Sequence, residues 1–343
     1  APATEMPTPQ STQPATHPLA GLVYLYDDRL WLVGQDGQPA AILHQASYVT
    51  PSTDGKRVLY ASGDPGDIFM KDLATGEVRQ LTDTPGVHKS YARFWPGRPE
   101  IVVYHFTSID EIGPSAGYLG AVKLQTGEQL VLDAQHGSGG AAALADTGQA
   151  IAYGGGDQAM IYTWGSGAQR LEPASFNLNL KSIYFDSAAW APGGQQLAWT
   201  IRGEFMGEGD YQAGIVVFDL ATHTHWLLHN YALHAGGEFS NAITWSPDGQ
   251  WLATALYGDV PGQRSSTLWV IQPSSGTEHS VSFASGPVWS PDGKRLVYTQ
   301  WPDPALGNFT GQDAQIILMQ INTWANEVLP LPRGSTILDW IGN

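Results

Sequence analysis

Ile243-Thr244-Trp245-Ser246-Pro247-Asp248-Gly249 is nearly repeated as Pro287-Val288-Trp289-Ser290-Pro291-Asp292-Gly293, and this pair decides the fold. Each copy runs from an apolar strand end into a tight Pro-Asp-Gly turn. Looser copies read Ala188-Ala189-Trp190-Ala191-Pro192-Gly193-Gly194 and Ala92-Arg93-Phe94-Trp95-Pro96-Gly97. Weaker again are Tyr48-Val49-Thr50-Pro51 with Asp54-Gly55, and Ala143-Leu144-Ala145-Asp146-Thr147-Gly148. Taking 51, 96, 146, 192, 247 and 291 as equivalent positions, the unit recurs every 44 to 55 residues. That period matches one four-stranded propeller blade.

Each copy continues alike. A strand follows the turn, as in Arg57-Val58-Leu59-Tyr60 or Arg295-Leu296-Val297-Tyr298. A second apolar strand comes next, such as Leu268-Trp269-Val270, then a Thr-Gly or Ser-Gly turn and a short outer strand. Apolar runs of this length between turn residues are strand behaviour, and no stretch carries a sustained helical period. The chain ends complete one another. Leu22-Val23-Tyr24 and Leu30-Trp31-Leu32-Val33 match later strands of the unit, and Ile337-Leu338-Asp339-Trp340 matches the strand holding Trp289. The expected fold is therefore an all-β, single seven-bladed propeller over residues 19–343, closed by the C-terminal strand joining the N-terminal blade. Closure removes the unpaired edges that an open array would expose.

The Trp-Ser-Pro-Asp-Gly repeats resemble those of the TolB-type, WD40-like (PD40) propellers of bacterial envelope proteins. The resemblance covers about residues 20 to 343 and is sharpest at Trp245–Gly249 and Trp289–Gly293. It implies the fold and an extracytoplasmic location: periplasmic, secreted or lipid-anchored. Two departures stand out: TolB carries a further N-terminal α/β domain and six blades. The repeats are also similar to those of the seven-bladed oligogalacturonate lyases, whose His-rich metal ligands cannot be matched to positions here.

Composition agrees with short strands and many turns. The 343 residues include 40 glycines and 23 prolines, with 42% hydrophobic and only 14% charged residues, against a usual charged share of about 25%. Sixteen basic against 32 acidic residues give a net charge of −16. Phosphate backbones and anionic membranes need Lys and Arg clusters, so neither nucleic acid nor a membrane surface is an expected partner. No cysteine is present, which removes disulfides and thiolate chemistry. No run of 18 apolar residues exists to form a transmembrane segment. Residues 1–18, APATEMPTPQSTQPATHP, are rich in Pro and Thr. They read as a disordered linker, a tether between a removed signal or lipid-anchor segment and the propeller. A monomer is expected.

Loop length separates the two faces. The Pro-Asp-Gly and Thr-Gly turns should share one face. The opposite face takes the long loops Thr107 to Gly117, Arg202 to Ala213, Gly258 to Ser266 and Trp301 to Asp313, as well as the connections between blades. Long loops on a rigid scaffold are where binding concentrates. Glu204, Glu208, Asp210, Trp301 and Asp303 are the candidate ligand-binding residues: carboxylates beside an aromatic suit a cation, a basic partner or a sugar-like ligand. Asp67 belongs to the same acidic rim, and His88 and His105 should lie toward the same face. The expected partner is a protein, peptide or glycan bound there without catalysis. The alternative is a carbohydrate-active enzyme, a glycoside hydrolase or pectate-type lyase, with its site at the mouth of the channel. Gly113-Pro114-Ser115-Ala116-Gly117 matches a nucleophile pattern but lacks the strand-turn-helix setting such a serine needs. His223-Thr224-His225 falls on an outer strand and falls short of the convergent ligands of a zinc site. No cofactor is implied; calcium is the one ion the acidic loops would suit.

Overall fold

A computed structural model describes residues 17–44, 47–63, 66–108, 117–133, 142–155, 157–171, 180–205, 211–233, 238–239, 243–257, 266–303 and 313–341. Seven antiparallel sheets account for every described strand. Blade one is Thr336–Trp340, Leu22–Tyr26, Arg29–Val33 and Pro39–His44, from the inside out. Blades two to seven begin with the inner strands Ser47–Pro51, Val87–Trp95, Ala143–Leu144, Leu180–Trp190, Thr244–Trp245 and Ala284–Trp289. In blade six a second short piece, Glu238–Phe239, pairs with the same neighbour as Thr244–Trp245.

The closure expected from the sequence is present. Thr336–Trp340 pairs with Leu22–Tyr26, Leu22 opposite Trp340 and Val23 opposite Asp339. Gly21 sits at φ +85°, where an added Cβ would lie 2.2 Å from the carbonyl oxygen of Ile341, so the seam is tight enough to require glycine. His17 is the first described residue, and its backbone is bonded to the propeller. Its N–H donates to Gln35, and Arg295 donates to the carbonyl of Pro18 at 2.9 Å. The linker expected from the sequence runs through Pro18; residues 1–16 of it lie outside the described residues, while His17 and Pro18 are bonded to the propeller.

The repeat turn has a defined chemistry. Ser246 Oγ donates to Asp248 at 2.5 Å and accepts from the N–H of Trp251, and Asp248 accepts from the N–H of Gln250. The same set recurs at Ser290, Asp292 and Arg295 and at Ser52, Asp54 and Arg57. This last match corrects the alignment: Thr53, and not Pro51, holds the place of Pro247. Pro51 ends the inner strand and is buried, an edge position where its missing N–H costs nothing.

Packing between blades is apolar and reinforced by the repeat tryptophans. Trp190 donates from its indole to the carbonyl of Ala143, Trp245 to Ala189 and Trp289 to Thr244. Each bond crosses to the preceding blade. Trp340 donates to Ala20 at the seam. Arginines at the start of second strands add a recurring contact: Arg57 lies 4.9 Å over the Phe94 ring of the next blade, and Arg295 4.8 Å over Trp340. No helix in the described chain is long and apolar enough to cross a membrane.

Candidate functional site at the channel

The repeat register makes seven inner-strand residues equivalent, each one position before the residue at the Trp245 place of the repeat: Asp339, Thr50, Arg93, Ala143, Ala189, Thr244 and Val288. Their cross-strand partners, Val23, Leu59, Val103, Ala152, Ala198, Ala253 and Val297, occupy one place in the second strands. Five of the seven are uncharged. Arg93 and Asp339 influence one another's ionisation although blade two stands between them. Arg93 is solvent-exposed, with protein around it that desolvates the guanidinium in part. That desolvation lowers its pKa, against the opposing charge of Asp339. Asp339 is pushed upward by burial, with the N–H of Trp340 and the charge of Arg93 pulling the other way.

Nearer the long-loop face, two tyrosines stand out. Tyr48 and Tyr91 occupy the same place in the inner strands of blades two and three, at φ 50° and 52°. In blade seven that place belongs to Gly286, at φ 63°. Each inner strand bulges here. A left-handed conformation costs a side-chain-bearing residue about 1–2 kcal/mol, and such strain gathers at ligand-facing positions. The two rings lie 4.6 Å apart, tilted by 59°. His88 stands edge-on to Tyr48 at 6.4 Å and His105 to Tyr91 at 6.4 Å. The N–H of Gly66 points to His88 Nδ1 at 3.4 Å, and Ser90 Oγ lies 3.5 Å from His105 Nδ1. Tyr48 is 40% exposed, so one ring faces solvent. Burial, then the neighbouring Tyr48, raises the Tyr91 hydroxyl.

Beneath this group lies a buried ion pair. Lys89, 1% exposed, donates to Asp67 at 2.7 Å and to the carbonyls of Thr84 and Val87. Asp67 also accepts from Thr82 and Gln80. All three ammonium protons are therefore satisfied. Asp67, read from sequence as a rim acid, instead pins blade two to blade three. Its charge adds to burial in pushing Tyr104 up to about 12.

Of the residues singled out from sequence, Glu204 lies in the strand Gln196–Phe205, its backbone opposite Ser182 and Tyr211. Trp301 and Asp303 are half-buried past the second strand of blade seven, and Trp301 donates its N–H to Phe283. Glu208 and Asp210 lie outside the described residues, as do residues 113–116 of the serine pattern. Thr224 and His225 lie on the outer strand of blade five, as expected, whereas His223 sits in the turn before it. Among the described residues no three His, Asp or Glu side chains gather to hold a metal. Sequence reasoning missed Tyr48 and Tyr91, because both belong to degenerate repeats. The available signal was a large residue where a sister repeat carries Gly286.

No protein-family model and no curated protein sequence matches the chain. Solved structures do. An oligogalacturonate lyase in complex with manganese is similar at TM-score 0.59 and 14% identity, covering 89% of this chain and 82% of that one. A prolyl endopeptidase is similar at TM-score 0.60 and 14% identity, over 90% of this chain and 46% of its own. TolB from Acinetobacter baumannii is similar at TM-score 0.47 and 14% identity, over 92% and 81%. The first two likenesses show the fold alone, a β-propeller, a scaffold on which binding proteins and enzymes are both built.

Proposed function

We propose that the protein is a non-enzymatic, extracytoplasmic binding module that takes a protein, peptide or glycan ligand at the long-loop mouth of its channel. Tyr48 and Tyr91 form the platform, His88 and His105 flank it, and Glu204, Glu208, Asp210, Trp301 and Asp303 are the rim residues that this reading expects. The observation that carries this reading is the tyrosine pair held at left-handed positions that favour glycine. A bulky exposed ring is retained there at a cost in stability, and a ring stacked against sugar or side-chain faces gives that cost a use. The TolB-type resemblance supports the location outside the cytoplasm.

The test is Tyr48→Gly. It relieves the backbone and removes an exposed ring, so the melting temperature should hold or rise while binding to a glycan and envelope-peptide array falls at least tenfold. Equal binding by wild type and variant would overturn the platform. Assaying the same array for cleaved or unsaturated products separates binding from the carbohydrate-active alternative.

A further inference from the structure

Tyr48 and Tyr91 come from the inner strands of successive blades, and their ring centroids lie 4.6 Å apart with 59° between the planes. Among the described residues this is the one contact between two tyrosine rings. Tyr48 is 40% exposed, so a small molecule in solution reaches its phenol. Among the described residues neither ring touches a tryptophan: Tyr48 meets His88 and Tyr91, and Tyr91 meets Tyr48 and His105. Other tyrosines do, Tyr24 stacking on Trp31 and Tyr162 standing edge-on to Trp95. An indole gives up an electron readily, and an imidazole does so less readily than a phenol. A radical on Tyr24 or Tyr162 can therefore pass to tryptophan, whereas one on Tyr48 meets Tyr91. The chain also has no cysteine, so no thiol competes for an oxidant and no disulfide can tie the blades.

We propose that Tyr48 and Tyr91 are an oxidative cross-linking site, where a one-electron oxidant from solution joins the two rings as a biphenol and ties blade two covalently to blade three. Each phenol gives one electron to an oxidant molecule and its hydroxyl proton to water. The two phenoxyl radicals pair, forming a carbon–carbon bond between the ring positions ortho to each oxygen. The hydrogen on each of those carbons then moves to its own oxygen as the rings regain aromaticity. The protein loses two hydrogen atoms in all, and two oxidant molecules are each reduced by one electron. Rings already in contact need no diffusional encounter, which favours this link over links between molecules. A biphenol bond draws the centroids only slightly closer than they stand here and leaves its rings twisted out of one plane, so the blades need little movement. Joining 48 to 91 also closes a loop in the unfolded chain and stabilises the fold as a disulfide would. The inference uses the geometry of the pair and no property of a ligand, so it and the binding reading can fail separately.

The experiment irradiates the full chain with tris-bipyridyl ruthenium and persulfate, which together generate a small one-electron oxidant. The wild-type monomer should gain the blue fluorescence of a biphenol. Digestion and mass spectrometry should then recover the peptides holding 48 and 91 joined to each other, lighter than their sum by two hydrogens. Tyr48→Phe and Tyr91→Phe keep the rings and lose one phenol each, so each should give at least tenfold less biphenol in the monomer. Wild type irradiated in urea should give at least tenfold less of the joined peptide, because the rings are then apart. Irradiated wild type should melt at a higher temperature than Tyr91→Phe given the same treatment. Should a phenylalanine variant fail to fold, the wild-type peptide map and the urea comparison carry the decision. Absence of the joined peptide from the wild-type monomer, an equal yield of it in urea, or as much biphenol in either variant would overturn the site. Irradiated wild type melting no higher than irradiated Tyr91→Phe would overturn the tie between blades.

Discussion

Trp245 and Ala189 stand 56 residues apart in sequence, yet the indole N–H of one donates to the carbonyl of the other at 3.0 Å, in a buried setting. The same bond, one blade further on, joins Trp289 to Thr244. The tryptophan of the repeat thus does two things: it fills the space between blades and satisfies a carbonyl on the inner edge of the neighbour.

Trp245→Phe separates these roles. It keeps an aromatic ring and leaves the Ala189 carbonyl buried without its donor, a loss of about 1–3 kcal/mol. Trp245→Ala also opens a cavity and should cost about 3–5 kcal/mol. Urea unfolding of the two variants should rank them in that order. A phenylalanine variant as stable as wild type would show that packing alone matters.

The ring closure predicts a larger effect. Removing residues after Gly334 deletes the inner strand of blade one and exposes Leu22 and Tyr24, now 0% and 2% accessible. The variant should lose its single cooperative calorimetric transition. An unchanged melting profile would mean that the seam contributes little to the fold.

These two predictions rest on what the sequence made legible. The period, the strand order and the closing strand all follow from Trp245-Ser246-Pro247-Asp248-Gly249 and its copies, because turn chemistry and apolar patterning are local. The site was much less legible. A side chain's role there depends on neighbours contributed by other blades, which no local pattern encodes. Asp67 misled for the same reason: an acid near a loop end looks like a rim residue until Lys89 is seen beside it. Tyr48 and Tyr91 became informative only once their backbone angles placed them where Gly286 sits.

The Lys89–Asp67 pair gives an asymmetric test. Asp67→Asn leaves a buried ammonium without its counter-ion, and breaking such a pair costs about 3–5 kcal/mol. Lys89→Met together with Asp67→Asn removes both charges and should be markedly less damaging than Asp67→Asn alone. A double-mutant cycle by denaturant unfolding reads the difference. Simple additivity of the two single changes would mean that the pair is not coupled.

His279 provides a pH-dependent test on the opposite face. Its ring stacks on Trp324 of the next blade at 4.4 Å with only 12° between planes, and Trp251 meets Trp324 edge-on at 5.3 Å. Burial lowers the pKa of His279 below its ordinary value. In the unfolded chain the imidazole takes up a proton near pH 6.5, whereas the folded state resists it to lower pH. The unfolded state therefore binds more protons across that window, and stability must fall as pH drops through about 6.5. Trp324 holds φ +58° at the turn position where Gly76, Gly127 and Gly276 sit in other blades. The stack accordingly works against a backbone cost, and weakening it should show. The expected result is a melting temperature that falls between pH 7.5 and 5.5 in wild type. His279→Phe keeps a stacked ring without a titratable nitrogen, so its fall should be smaller. Other histidines contribute to both proteins alike, and the difference between the two isolates this one. If both lose the same number of degrees, protonation of His279 is not coupled to folding, and the pH dependence belongs to histidines elsewhere in the chain.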